Sequence, residues 1–218
     1  ARLISSTMRR RVPFTGSGAS SILNTTTLVN QLGTANVTVS TASAGASLGD
    51  ITVSNAIAYN GATDRTLTLL ANRDINVNAN ISSGTAKLNV VLNSASAGGA
   101  AVGSVSLGSG AQIVSNGGNI TIGGGADPTT GYATGGGVTT IGFRMVGGGS
   151  LLSSGAGNIL INAKGATGQA FSMGTSANTI QSTSGNITIN ARNADATAFG
   201  MNSGTNIIQS TGTGNITI

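Results

Sequence analysis

Phe143, Phe171 and Phe199 recur at intervals of 28 residues, and each is followed two positions later by a methionine: Met145, Met173 and Met201. Leu152, Ile180 and Ile208 keep the same interval. A third phrase, "GNITI" or its near copy "GNILI", begins at Gly118, Gly157, Gly185 and Gly214. It supplies Ile120, Ile122, Ile159, Ile161, Ile187, Ile189 and Ile216. Three apolar segments thus return in a fixed order, separated by corners rich in Gly and Ser. Recurrence at periods of roughly 20–50 residues marks a stack of units, each burying its apolar face against the next.

The local period identifies the unit. Ile187 and Ile189 alternate with Asn186, Thr188 and Asn190, the spacing of a strand with one buried face. Three short strands per repeat predict an all-β fold, a right-handed three-sided parallel β-helix with projecting loops. The isoleucines named above are expected to form one inward column. Phe143, Phe171 and Phe199 with Met145, Met173 and Met201 are expected to form a second, and Leu152, Ile180 and Ile208 a third. A two-sheet sandwich also has alternating strands and Gly-rich turns, but it does not require three apolar series to share one interval.

The helix is expected over residues 37–218, open at its C-terminal end. Upstream strands read as "NVTVST", "DITVSN", "RTLTLLA", "DINVNANI", "AKLNVVLN" and "SVSLGS". Residues 1–36 read as a basic leader and an irregular cap or linker, with Ile22 to Leu32 open to either a short helix or an irregular strand. An Asn or Asp before a β-branched residue occurs at Asp50, Asp74, Asn119, Asn158, Asn186 and Asn215. Taken as one corner position, this series has uneven gaps. The longest are expected to hold outward loops, "NSASAGGAAVG" at 93–103 and "GGGADPTTGYATGGG" at 123–137.

Composition agrees with close stacking. Only 7% of the 218 residues are charged, against roughly 25% in ordinary soluble domains. Copies of a side chain on successive turns would lie about 4.8 Å apart. Like charges at that spacing repel, whereas amides hydrogen-bond to one another. The net charge of +5 is concentrated in Arg2, Arg9, Arg10 and Arg11. Residues from Val12 onward lack the basic, aromatic-bearing face of a nucleic-acid reader, so no nucleic-acid partner is expected. Arg9, Arg10 and Arg11 are a solvated leader or a contact to an acidic surface. No apolar run reaches the roughly 18 residues of a membrane helix. Ala1 is not an initiator Met, and the chain reads as a processed or excised piece.

The segments "LTLLANRDINVNANI", "KLNVVLNSASAGG" and "VSLGSGAQIVSNGGNITIGGG", with the later "GNITI" units, resemble filamentous-haemagglutinin-type exoproteins over about Val37 to Ile218. The resemblance implies a secreted bacterial β-helix adhesin exported by two-partner secretion. It also implies an extracellular or bacterial cell-surface location and contact with an outer-membrane pore during export. The secretion domain of that family carries Asn-Pro motifs. Here Val12 precedes Pro13 and Asp127 precedes Pro128, so this chain resembles the shaft.

Little catalytic chemistry is on offer. The chain has no His, Cys or Glu, and its acids are Asp50, Asp64, Asp74, Asp127 and Asp195. Asp50 and Asp74 are either polar corner residues or a carboxylate pair one turn apart, as in a glycosidase; Arg73 beside Asp74 suggests charge pairing. "GGGAD" at 123–127 has one Asp where a calcium β-roll repeats them. No Gly-Lys-Ser/Thr follows any glycine run. No metal or cofactor is expected. Asn-x-Ser/Thr at Asn24, Asn36, Asn80, Asn119, Asn186 and Asn215 reads as structural recurrence or as glycosylation acceptors. An ice-binding wall would need a threonine pair on each turn, whereas Ile fills the recurring columns. Tyr132, in the second loop, is placed to stack on a sugar.

The expected function is therefore a structural and adhesive segment of a surface fibre, without catalysis. Its expected partners are copies of itself or further repeats, and host or cell-surface glycans. A self-assembling filament or sheath subunit is the alternative, and a carbohydrate-active enzyme a third.

Overall fold

The computed structural model describes residues 11–15, 21–41, 49–96, 102–136, 140–193 and 197–218, with the backbone alone at 11–13 and 15. These residues wind into a parallel β-solenoid with three walls. One coil runs through Arg65–Leu70 in wall A, Ile75–Val77 in wall B and Ile81–Ser83 in wall C, before Leu88–Ser94 returns to wall A. Wall A has nine strands, and walls B and C have six each.

Identical steps stack without slippage. In wall A, Val90, Ile120, Ile159, Ile187 and Ile216 pair rung to rung, and Ile122, Ile161 and Ile189 run parallel to them. In wall B, Phe143, Phe171 and Phe199 pair in register, as do Met145, Met173 and Met201. In wall C, Ile57, Ile81, Ile113, Leu152, Ile180 and Ile208 form one line. Phe171 and Phe199 lie face to face with centroids 4.7 Å apart, and Phe143 tilts onto Phe171 at 5.6 Å. Alternation supplies the cause: every second side chain points into the coil, and the pleat repeats at each rung. Each fully buried Ile or Phe contributes about 1.5–3 kcal/mol relative to an exposed one.

The two ends differ. At the C-terminal end Met201 is 43% and Ile216 42% exposed, and Phe199 and Ile208 are half-buried. These four keep their column positions, but as members of the last described rung they are not enclosed like the residues above them. At the N-terminal end a helix, Thr25–Thr34, packs on Ile57–Tyr59 of wall C and on Asn36–Ser40 and Arg65–Leu70 of wall A. It buries Leu28 and Leu32 on the core. Asn24 caps it by accepting from the Thr26 N–H at 2.8 Å. Arg65 donates to the carbonyls of Leu32 and Gly33 at 2.8 and 3.2 Å, placing a cation where the helix dipole favours one.

Within 1–36 the described residues include a strand and a helix. Arg11–Thr15 is a wall A rung paired in parallel with Asn36–Ser40. Among the described residues, the helix stands between these two wall A strands. Of the three candidate contact arginines, Arg9 and Arg10 lie outside the described residues and Arg11 contributes its backbone to the rung.

The corner series also changes. Asp50 and Asp74 precede Ile51 and Ile75 in wall B, whereas Asn119, Asn158, Asn186 and Asn215 precede wall A strands. They are two positions on two corners, alike in local sequence because each must end a turn and start a strand. The apparent gap between Asp74 and Asn119 compared unlike corners. Asn93 and Ser94, at the start of the first expected loop, belong to the strand Leu88–Ser94, and residues 97–101 lie outside the described set. The second loop leaves wall A at Gly124 and re-enters as Ala133–Thr134, paired with Ala163 and Lys164. Asn162 ties it down, donating to the carbonyls of Pro128 and Thr129 at 3.0 Å each.

Candidate functional site

The corner before wall A is a ladder of side-chain carbonyls. The N–H of Asn215 donates to Asn186 Oδ1 at 2.9 Å, Asn186 to Asn158 at 2.8 Å, and Asn158 to Asn119 at 2.8 Å. Asn119 donates to Asn89 at 2.9 Å, and Thr66 to Asn36 at 2.9 Å. Asn36 and Asn89 are members that the sequence reading missed. Asn119, Asn158, Asn186 and Asn215 each follow a glycine that is required by proximity. A Cβ on Gly157 would strike the carbonyl of Gly118, and one on Gly185 or Gly214 the carbonyl of the glycine above it.

This ladder leaves the glycine carbonyls without their usual partner. A serine three residues earlier supplies one: Ser115 Oγ donates to Gly118 O at 2.5 Å, Ser154 to Gly157 at 2.5 Å, and Ser182 to Gly185. The motif is Ser-x-x-Gly-Asn. At Ser210 an extra residue precedes Gly214, and the hydroxyl has no hydrogen-bond partner. The serine spacing was visible in the sequence, but its meaning depends on the backbone amides being diverted to the Asn side chains.

Asp50 and Asp74 do lie close, on the corner before wall B. Asp50 accepts from Arg73 Nε at 2.7 Å and Nη2 at 2.5 Å, and from the N–H of Asp74 at 3.1 Å. Asp74 accepts from the N–H and hydroxyl of Ser104 at 2.7 and 2.9 Å and faces Arg73 Nε at 3.2 Å. Burial pushes the Asp50 carboxyl up. The Arg73 hydrogen bond, the Asp74 N–H and the Arg73 charge together outweigh it and hold the group below its ordinary value. The bond to Asp50 likewise raises Arg73 against its own desolvation. Two carboxylates sharing one guanidinium hold adjoining coils together. With Asp74 1% exposed, they do not present the open, opposed pair that a glycosidic bond requires.

Tyr132 and the loop around it form a different surface. The guanidinium of Arg192 lies 5.0 Å from the Tyr132 ring centroid, within the range of a cation–π contact. Thr134, Lys164 and Arg192 occupy successive rungs of wall A. Lys164 and Arg192 are exposed and Tyr132 partly so. An open depression of ≈ 430 Å³ beside them is lined by Lys164, Ala191, Arg192, Asn193 and Ala198. The sequence reading singled out Tyr132 but not Lys164 or Arg192, whose place is set by the strand Ala133–Thr134.

The remaining sequence candidates have structural partners. Asp127 Oδ1 accepts from the N–H and hydroxyl of Thr129 at 2.9 and 2.7 Å; these bonds lower its pKa and close the loop's turn. Among the described residues no group of three or more His, Cys, Asp or Glu is placed to hold a metal. Asn24, Asn36, Asn80, Asn119 and Asn186 each accept a backbone N–H through the side-chain oxygen. The outward threonines Thr38, Thr68, Thr121, Thr188 and Thr217 align on wall A, with Val91 and Leu160 interrupting them. No described helix is long and apolar enough to cross a membrane. Comparison with protein-family models, with curated proteins and with solved structures finds no match for this chain.

Proposed function

We propose that this chain is a structural and adhesive segment of a bacterial extracellular β-helical surface fibre and that it performs no catalysis. The observation that carries the reading is the double use of each corner. Apolar columns stack inside, Asn side chains tie successive coils together, and a buried serine closes each corner on its own glycine carbonyl. Such an object is built for length and stiffness, since each coil contacts mainly its neighbours and coils add without redesign. The two carboxylates best placed for hydrolysis are engaged by Arg73 and Ser104. The resemblance to filamentous-haemagglutinin-type exoproteins suggests two-partner secretion and glycan-bearing surfaces as targets.

Immunogold labelling of the producing cells tests the reading. Label along thin surface fibres is expected; label confined to the cytoplasm overturns it. Turnover of any member of a polysaccharide panel that is lost in an Asp50→Asn/Asp74→Asn variant overturns the non-catalytic part.

A self-assembling filament subunit is a second reading, since parallel walls let coil stack on coil. Head-to-tail stacking would have to displace the helix that covers the N-terminal end. Sedimentation separates the two: a constant coefficient with rising concentration supports the fibre segment, and growing polymers support the subunit.

A further inference from the structure

The adhesive reading leaves open what is held, and the surface around Tyr132 narrows it. The geometry points to a docking site for a carboxylate-bearing polysaccharide at Tyr132, Lys164 and Arg192; this rests on the adhesive reading above. Three observations support it.

The first is charge. Lys164 and Arg192 are register neighbours on adjacent wall A rungs, which places two cations about 4.8 Å apart at the backbone. The outward column of wall A through Thr38, Thr68, Thr121, Thr188 and Thr217 carries no charge. Neither cation has a carboxylate within ion-pair distance among the described residues, where the ion pairs are those of Arg73 with Asp50 and Asp74. Stacked like charges are unfavourable until an anion sits between them.

The second is the free edge of the guanidinium. Arg65 donates to helix carbonyls, Arg73 to Asp50 and Arg144 to Ser106. Arg192 instead lies over the Tyr132 ring and makes no side-chain hydrogen bond among the described residues. A cation–π contact does not use up the N–H donors of a guanidinium, the fork that a planar carboxylate accepts. The ring also fixes the fork in place, so less freedom is lost on binding.

The third is the way the ring is held. Tyr132 lies where the loop returns to the wall, anchored by Ala133–Thr134 on one side and by Asn162 on the other. An aromatic edge beside a cation pair suits a sugar ring carrying a carboxylate. The Lys164 ammonium then meets the second carboxylate oxygen or the acid of the next residue along the polymer.

Polygalacturonate and its fully methyl-esterified form present one sugar backbone with and without charge. Immobilised protein is expected to retain the acid and not the ester, and to release it as salt rises. Lys164→Gln/Arg192→Gln should weaken retention at least roughly tenfold, as loss of charged hydrogen bonds does, without lowering the melting temperature. Arg192→Lys should restore charge but not the fork, and so recover only part. Arg9→Gln/Arg10→Gln/Arg11→Gln should retain the acid as the parent does. Equal retention of acid and ester, no retention of either, or loss in the leader variant but not in Lys164→Gln/Arg192→Gln would each overturn the proposal. Fibres seen on cells in those cases would leave the structural reading standing.

Discussion

Ser154→Ala and Ser210→Ala are the same chemical change at equivalent corners, and the structure gives them opposite consequences. The Asn186 N–H would ordinarily donate to Gly157 O across the wall A ladder. It donates to Asn158 Oδ1 instead, so the carbonyl takes the Ser154 hydroxyl at 2.5 Å. Ser154 is fully buried, and Ala at that position leaves a buried acceptor with neither protein nor water. That loss costs about 1–3 kcal/mol. For a chain of this length each kcal/mol moves the melting temperature by about 2–4 °C. The Ser210 hydroxyl has no partner to lose. Its replacement removes an unsatisfied group and is expected to be neutral within about 0.5 kcal/mol, the range of uneventful substitutions. Thermal melts followed by circular dichroism measure both, and amide exchange at Gly157 and Asn158 localises the first. The ladder argument is refuted if the two variants melt together, or if Ser154→Ala leaves the melt unchanged.

Ile187→Asp places a charge at a position with no solvent exposure and no cation within the coil; loss of the folded wall A signal below room temperature is expected, and an unchanged melt would remove Ile187 from the core. Asn158→Asp keeps the acceptor for Asn186 and should be nearly neutral. Adding Asn119→Asp and Asn186→Asp stacks carboxylates about 4.8 Å apart, so each adjacent pair should cost about 1 kcal/mol. Most of that cost should be recovered in 1 M salt. The lowered Asp50 pKa means that the folded state favours its ionised form. Its contribution should be complete above the ordinary value of 3.8 and disappear as pH falls through the lower folded value. Urea midpoints from pH 6 to pH 2 test this, since Asp50→Asn should flatten the acid limb and a parallel curve would contradict the linkage.

The walls were legible because stacking writes its period into the chain. Phe143, Phe171 and Phe199 differ by a constant interval only because no insertion falls between their coils. Where insertions fall, the period dissolves, and local pattern misleads. Asp74-Ile75-Asn76-Val77 and Asn119-Ile120-Thr121-Ile122 look like one phrase, yet they start different walls. Both corners ask for a short side-chain acceptor followed by a β-branched inward residue, so the sequence does not distinguish them. The helix at Thr25–Thr34 was open to two readings because Thr25, Thr26 and Thr27 suit a strand as well. Its Asn24 cap and the Leu28–Leu32 spacing decide it once there is a core end to cover. Tyr132 and Arg192 meet across coils of unequal length, and no local signal marks their contact.

The same stacking rule explains where charge is allowed. A residue in a solenoid wall meets the rungs above and below, so a favourable column is one whose members can bond to themselves or alternate in sign. Asn and Gln meet the first condition, as in Asn190 to Asn162 at 2.8 Å and Gln209 to Gln181 at 3.0 Å. Asp50 over Asp74 meets neither by itself and is bridged by Arg73. Lys164 over Arg192 meets neither. As Arg73 completes the stacked aspartates, an external anion would complete this repelling pair beside the Tyr132 ring. Replacing Lys164 by Asp should thus stabilise the free protein through an ion pair with Arg192 while abolishing retention of the polyuronate. A variant that gained neither stability nor lost retention would show that the two side chains do not act on one another.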